Sequence, residues 1–438
     1  METNSLKQEI SHWTNSLTFK LGLIFIVSLL LLIPLAMIEN IIREREMTAN
    51  SVESSISSQW GDSQTLIGPI LNIPLETSYV NANGQTETER TWIHIMPSIL
   101  NINSSIDPQI KHRGIYETAV YNSTNQIEGT FELSPKPHDS KTIIDWEKAF
   151  LTMGVSDNRG IRGDVGILWD EASLEPQSGL MSTDISSSGF SIATPLTEPS
   201  GKMTKKFAIK LNLSGSQSLS MIPLGQNTQI AMTSTWADPS FTGTLLPQTS
   251  KISEKGFEAK WTITHLNRNF PQQWTGSRFN VNDHTLGVSL YMPVNHYQKS
   301  LRSAKYGILF ISLTMLVFLF IELTKKKKIH LFHYVLVGLA LVLFFSVLTA
   351  LSEQIGFNAA YLIASLAIIC LITYYTFGIL KDKKQTYWIG GLLVVLYSFM
   401  FVLLQLNDYA FLAGNIGLLI VLAVIMKASL KLPEKQDI

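Results

Sequence analysis

Apolar positions along the chain follow two different patterns. A charge-free run occupies residues 21–38, a long polar stretch covers 39–300, and further apolar runs fill 306–323, 332–351, 359–380, 388–406 and 411–426. Each run is about 16 to 22 residues, which at about 1.5 Å per residue approaches the roughly 30 Å of bilayer hydrocarbon. Backbone in lipid must satisfy its own hydrogen bonds, so these runs are predicted to be six transmembrane helices. The last is short and carries Asn415. The stretch 39–300 is rich in Ser, Thr and Asn and alternates apolar with polar residues at the period of a strand. Phe207, Ile209, Leu211 and Leu213 form one such face; Ile230 and Met232, then Ala259, Trp261 and Ile263, then Leu286, Val288 and Leu290 form others. Turn clusters at 212–216, 238–239 and 282–283 separate them. Helical periodicity outside the membrane runs is confined to 39–58, prolonging the first helix, and to 144–153. The expected fold is an α+β membrane protein: one N-terminal and five C-terminal transmembrane helices with a large β-rich extracytoplasmic domain.

Lysine placement sets the orientation, because short loops rich in Lys and Arg stay on the cytoplasmic side. Lys325 to Lys328 follow the second run, Lys381, Lys383 and Lys384 the fourth, and Lys427, Lys431 and Lys435 the sixth. The intervening loops, 352–358 and 407–410, hold Glu353 and Asp408 and neither Lys nor Arg. Lys7 and Lys20 before the first run oppose Arg43 and Arg45 after it, so that run is ambiguous alone, but a long translocated domain answers weakly to its own charges. The expected order is a cytoplasmic N-terminus (1–20), transmembrane helix (21–38), periplasmic β-rich domain (39–300), five-helix membrane region (306–426) and cytoplasmic tail (427–438). Trp13, Tyr306, Tyr387 and Trp388 lie at run ends, where amphipathic rings favour the headgroup zone. The first run is longer than a signal-peptide core and lacks a good small-residue site after it, so it reads as an uncleaved anchor.

Composition narrows the function. Of 438 residues 46% are apolar and 16% charged, below the quarter or so usual for a soluble domain. Lys+Arg and Asp+Glu both number 34, which offers no basic surface for nucleic acid. The single cysteine, Cys370, excludes an intramolecular disulfide, a CxxC redox motif and a Cys-based zinc site. The expected partners are the lipid bilayer and an envelope or membrane protein.

Catalytic signatures are missing: there is no H-E-x-x-H zinc helix, no G-x-S-x-G elbow and no P-loop. No catalytic, cofactor or metal residue is assigned, and the protein is expected not to be an enzyme. The densest polar constellation is Asp157-Asn158-Arg159-Gly160-Ile161-Arg162-Gly163-Asp164. Its arginines suit an anionic group and its aspartates a cation, but the spacing fits no calcium loop and a charge-paired turn is the plainer reading. His138-Asp139 and Asp283-His284 read as exposed turns. Within the apolar runs, Glu322 sits one turn from the Lys325–Lys328 cluster and is expected to reach the cytoplasmic interface. Thr373, Tyr374, Tyr375, Gln405 and Asn415 are explained by interhelical hydrogen bonds as well as by a substrate path.

Several blocks together resemble the CreD family of inner-membrane proteins, also described as colicin-tolerance proteins. QTLIGPILNIP at 64–74, NLSGS at 212–216 leading to IPLG at 222–225, TWADPSFTG at 235–243 and SEKGFEAKW at 253–261 stand in that family's order. YGILF at 306–310, YVLVGLAL at 334–341, and Leu351-Ser352-Glu353 with Gly356-Phe357 resemble its membrane part. The likeness spans nearly the whole chain, with few landmarks in 135–205 beyond 155–162. It implies a bacterial inner-membrane protein linked to a carbon-source-responsive two-component regulon and to envelope integrity, and it implies no reaction. Gly68-Pro69 is read as a turn before the first strand, and Asp238-Pro239-Ser240-Phe241 as a turn whose aromatic returns to the core. The leading functional reading is support of envelope integrity and stress response through extracytoplasmic partner binding; the alternatives are a transporter or channel in the C-terminal helices and an extracytoplasmic envelope-polymer enzyme.

Overall fold

The computed structural model describes residues 17–80, 85–134, 142–290, 296–325, 329–406 and 410–429. Lys7, Trp13, His138, Asp139, Lys326 to Lys328, Asp408, Lys431 and Lys435 lie outside the described residues. The chain divides into two compact units, Met1–Ala49 with Val294–Ile438, and Asn50–Pro293.

In the helical unit the helices are α1 (Leu17–Trp60, which continues into the second unit), α2 (His296–Lys305), α3 (Gly307–Lys325), α4 (Leu331–Ile355), α5 (Phe357–Leu380), α6 (Lys383–Gln405) and α7 (Ala410–Ser429). Helices α1, α4, α5 and α6 are long and apolar enough to cross a membrane, and α2 with α3, bent by 40° between Lys305 and Gly307, makes a fifth candidate. The structure therefore supports four or five spans among the described residues; the expected six is not reached by that measure, although the sixth apolar run does form α7. The boundaries between α4, α5 and α6 have local causes. Gly356, at φ +77, separates α4 from α5; Lys381, in the left-handed region, ends α5; and Asp382 caps α6 by accepting from the Lys384 N–H. Large apolar side chains such as Phe25, Leu362, Val395 and Leu419 are exposed, which suits helices facing lipid rather than water. Inside, Phe310, Phe344, Tyr361 and Tyr397 pack edge to face with ring centroids between 4.7 and 6.5 Å apart. Gly338 lets α4 approach Leu31 of α1, whose side chain a Cβ there would strike.

The second unit holds two sheets over one hydrophobic core. The ten-stranded sheet runs Pro239–Gly243, Leu286–Leu290, Ser218–Met221, Gln64–Val80, Phe150–Val155, Gly189–Ala193, Gln177–Ser178, with Thr86–Ile95 and Thr142–Ile144 also pairing to Gln64–Val80, and Gln273–Thr275 to Thr86–Ile95. The eight-stranded sheet runs Thr249–Ser253, Gly256–Thr264, Asn227–Ser234, Ile99–Arg113, Tyr116–Leu133, Met203–Ser216, Ile161–Trp169, Ala172–Leu174. The alternating residues read from the sequence are the core-facing ones: Phe207, Ile209, Leu211, Leu213, Ile230, Met232, Ala259, Trp261, Ile263, Leu286, Val288 and Leu290 are all buried. Phe241 stands edge-on to Phe257 and Trp261, so this aromatic does return to the core.

Local expectations fail in three places. Residues 144–153 form no helix: Thr142–Ile144 and Phe150–Val155 are strands flanking a single 3-10 turn at Trp146–Lys148, because the all-buried run Phe150–Val155 pairs on both edges. Residues 212–216 are no turn; they end the strand Met203–Ser216, paired on one side throughout. Gly68-Pro69 is not a turn before the first strand but lies inside it, as a cis peptide where the register with Phe150–Val155 shifts between Ile67 and Ile70.

Candidate functional site

The C-terminal end of α1 organises the polar chemistry of the β-rich unit. A helix leaves its last carbonyls without partners and carries partial negative charge there, so cationic donors are favoured. Arg159 Nη1 donates to the Ser58 carbonyl at 2.8 Å and Arg162 Nη2 to the Trp60 carbonyl at 3.0 Å. Gly61 N donates to the Ser57 carbonyl at 2.8 Å with φ at +139, and a Cβ there would come within 2.6 Å of the Ser214 carbonyl. Asp157 binds Arg159 through both carboxylate oxygens and accepts from the Asp62 N–H at 2.9 Å, while Arg159 Nη2 also reaches Asp62 at 2.8 Å. Burial would raise the Asp157 pKa; the bonds from Arg159 and from the backbone N–H groups of Asp62 and Arg159 outweigh it and hold the group below the usual carboxylate value. Arg162 Nε donates to Ser214 Oγ at 2.9 Å. Asp157, Arg159 and Arg162 are thus brought together as a brace on the helix end, and their charges are spent there. Asp164 is exposed on the strand Ile161–Trp169 and stands apart from them.

Beside the brace lies an open recess of about 520 Å³. The residues that line it are all of polar type: Glu53 and Asp62, Asn50 and Gln217, and serines 54, 57, 63 and 216. Glu53 Oε1 accepts from Thr118 Oγ1 at 3.3 Å and from Gln217 Nε2 at 3.1 Å. Gln217, the single residue between the strands Met203–Ser216 and Ser218–Met221, has φ at +61, a left-handed conformation that non-glycine residues seldom adopt. The Ser57 and Ser216 hydroxyls are buried without a hydrogen-bond partner.

A second polar chain crosses the ten-stranded sheet. Asn72 Nδ2 donates to the carbonyls of Ile70 at 3.0 Å and Phe150 at 3.4 Å and to Thr152 Oγ1 at 2.8 Å, which turns its Oδ1 toward His94 Nδ1 at 2.6 Å. Nδ1 therefore carries the hydrogen, and the contact of Nε2 with Asp184 Oδ2 at 3.0 Å closes only with a further proton between those atoms. Burial lowers the His94 pKa, with Asp184 pulling it the other way.

With this geometry in place, comparison with known proteins is decisive for the family. The family model of inner membrane protein CreD matches residues 16–433. The chain belongs to the CreD family. It is 32% identical over 419 residues to inner membrane protein CreD of Escherichia coli (strain K12), covering 94% of this chain and 92% of that one. Among solved structures, a putative nutrient binding protein from Legionella pneumophila subsp. pneumophila str. Philadelphia 1 covers 56% of this chain and 80% of its own at 8% identity, but the TM-score of 0.26 is too low to bear on the fold.

Among the described residues, the membrane helices of this CreD-family chain bury one charge, Glu322, whose partner no short stretch of sequence reveals. Glu322 is 6% exposed, paired with Lys20 Nζ at 2.6 Å and accepting from Tyr334 OH at 2.8 Å. Its partner Lys20 lies 302 residues away, in α1. Tyr375 OH meets His333 Nδ1 at 2.7 Å, and Gln405 Nε2 donates to Asn358 at 2.7 Å, so both are interhelical bonds. Tyr374 and Asn415 are exposed, and the Thr373 hydroxyl is buried without a partner. Asp283 and His284 form the expected turn, with His284 Nε2 meeting Asn269 Oδ1 at 2.6 Å. Glu53, Ser57, Ser216 and the Asn72–His94–Asp184 chain were missed. The one available signal was 50–58, a run of small polar residues inside a helix, where solvated lysines and glutamates are the usual choice.

Proposed function

We propose that this CreD-family chain is a six-span protein of the inner membrane with both termini cytoplasmic, and that its β-rich domain, 39–300, faces the periplasm, binds an envelope or membrane partner there and so supports envelope integrity under stress, without catalysis. The observation that carries the reading is the open polar recess at the end of α1, on the large folded unit that the chain places between its first apolar helix and the rest. The lysine distribution supports the orientation. Asp157, Arg159 and Arg162, which an envelope-polymer enzyme would draw on, are occupied in bracing α1. For a transporter or channel the favouring observation is Glu322, but its charge is answered by Lys20 and Tyr334, which makes it a pin between helices first.

Deleting the gene in the host and complementing it tests the reading. The deletion strain is expected to become sensitive to detergent and osmotic stress, the full chain to restore tolerance, and the helices with 64–293 replaced by a short linker to fail. Restoration by the helices alone would refute it. Flux into liposomes carrying the purified chain, for ions or small solutes, would move the function to the helices instead.

A further inference from the structure

We infer that the groove between α5 and α6 is a binding site for an anionic phospholipid, with the phosphate held by the lysines of the α5–α6 turn and an acyl chain lying along the groove. The groove is open, has a volume of about 440 Å³, and is lined on α5 by Ile369, Cys370 and Tyr374 and on α6 by Tyr387, Gly391 and Val394. Its floor has a cause in the sequence. A Cβ at Gly390 would come within 3.0 Å of Thr373 Oγ1, so that glycine lets the helices close, whereas a Cβ at Gly391 would meet nothing within 4 Å, so that glycine leaves space unfilled. Helix α5 ends and α6 begins at Lys381-Asp382, and the deep ends of the groove, Ile369 and Val394, lie 11 residues from Leu380 and from Lys383. At about 1.5 Å per residue this is roughly 16 Å on either helix, half of the roughly 30 Å of bilayer hydrocarbon and so the reach of one leaflet. The second observation is charge. Lys381, Lys383 and Lys384 are exposed, and among the described residues the lysines in ion pairs are Lys20, Lys148, Lys202 and Lys205, so these three are unanswered. Asp382 between them is committed to capping α6 through the Lys384 N–H. The lysines also stand on the faces that wall the groove: Lys383, Tyr387, Gly390 and Val394 follow one another at i, i+4, i+7 and i+11 on α6, and Cys370, Tyr374, Phe377 and Lys381 do the same along α5. A topological role for these lysines sets no requirement on which helix face they occupy, but a headgroup above this groove does. Tyr387, one turn inside Lys383, is exposed where an amphipathic ring favours the headgroup zone. A neutral lipid would fill the groove and leave the lysines unanswered, and a soluble anion would do the reverse; an anionic phospholipid meets both.

The full chain, purified in a nonionic detergent, is titrated with phosphatidylglycerol, with phosphatidylcholine of the same acyl chains and with glycerol phosphate, and bound molecules are counted by native mass spectrometry. Phosphatidylglycerol is expected to bind about tenfold or more tightly than phosphatidylcholine. The double variant Lys383→Gln/Lys384→Gln, which keeps the backbone N–H that Asp382 caps, should weaken phosphatidylglycerol by about tenfold and leave phosphatidylcholine unchanged. Gly391→Phe, which fills the groove, should weaken both lipids by about fivefold. Lys427→Gln, in the last turn of α7, should alter neither. If Gly391→Phe lowers the unfolding temperature, Val394→Phe fills the groove from an exposed position and takes its place. The inference is overturned if the two lipids bind equally, if the lysine variant keeps wild-type selectivity, or if a folded chain with the groove filled binds phosphatidylglycerol as wild type. It is overturned equally if glycerol phosphate binds as tightly as the lipid, if Lys427→Gln loses as much as the double variant, or if the wild type is a dimer that Gly391→Phe turns into a monomer, which would give the groove to a second copy. None of these outcomes touches the outer domain, whose partner reading stands or falls by complementation.

Discussion

Replacing Gln64 by Glu tests whether the junction below α1 is held by one amide. Gln64 is fully buried at the start of the strand Gln64–Val80, in the ten-stranded sheet, and reaches Ser214, in the eight-stranded sheet. Nε2 donates to the carbonyls of Asp157 at 3.0 Å and Ser214 at 3.3 Å, and Oε1 accepts from Asp157 N and Ser156 Oγ, both at 3.3 Å. Glutamate has the same shape, so no cavity forms and the change isolates the donor. A neutral carboxyl at this position recovers one donated bond and loses the other, a cost of about 1–2 kcal/mol. An ionised one sets oxygen against two carbonyls in a buried site and adds about 1–3 kcal/mol. Burial raises the folded-state pKa of such a carboxyl above the ordinary value near 4.3, so the variant's stability is highest below that pH and falls as pH rises through the folded value. Gln64→Met should lose a similar amount with no pH trend. Scanning fluorimetry of the purified chain from pH 4 to 8 reads this directly, at roughly 2–4 °C per kcal/mol for a unit of this size. A Gln64→Glu protein that melts within about 1 °C of wild type at pH 8, or that gains stability as pH rises relative to wild type, refutes the reasoning.

Three further outcomes are expected. Because burial holds the His94 pKa below 6.5, the unfolded chain takes up that proton more readily, so His94 contributes stability that is present above about pH 6.5 and lost as pH falls; His94→Gln should flatten that slope in unfolding measured between pH 5 and 8, and an unchanged slope counts against it. In the helical unit, Tyr334→Phe removes the 2.8 Å bond to Glu322 and should cost about 1–2 kcal/mol, and Lys20→Met, which leaves a buried carboxylate without its cation, about 3 kcal/mol, read from thermal stability in detergent; equal stability of both variants would show that the cluster braces nothing. A Cβ at Gly129 would strike the Ile99 carbonyl on the paired strand, so Gly129→Ala should cost about 3 kcal/mol and reduce the yield of folded protein, whereas Gly201→Ala, with open space around it, should be neutral.

What could be read from the sequence was whatever a short window determines. Strand alternation has period two, so Phe207, Ile209, Leu211 and Leu213 declare a buried face without knowledge of their partners, and apolar runs of bilayer length declare helices the same way. Polar residues carry no such period, and their meaning depends on what arrives from elsewhere in the chain. The block 212–216 looks like a turn because Asn, Ser and Gly favour turns, yet pairing with Tyr116–Leu133 outweighs that preference. The lysines that follow Glu322 are visible in the sequence, but its burial against Lys20, 302 positions away, is not. The Asp157–Arg162 cluster was visible, but its role required knowing that α1 ends against it. The recess was invisible for the same reason: its walls come from 50–63 and from Ser216 and Gln217, segments brought together by the pairing of Gln64–Val80 with Ser218–Met221 and by bonds between Ser63 and Ser216 and between Glu53 and Gln217. A site assembled in this way has a consequence for experiment. Substitutions at Gln64 or Gly61 will disturb the recess through the fold, and Glu53 ties α1 to Thr118 of the strand Tyr116–Leu133, so Ser216, whose hydroxyl has no partner, is the lining position whose side chain is least tied to the fold.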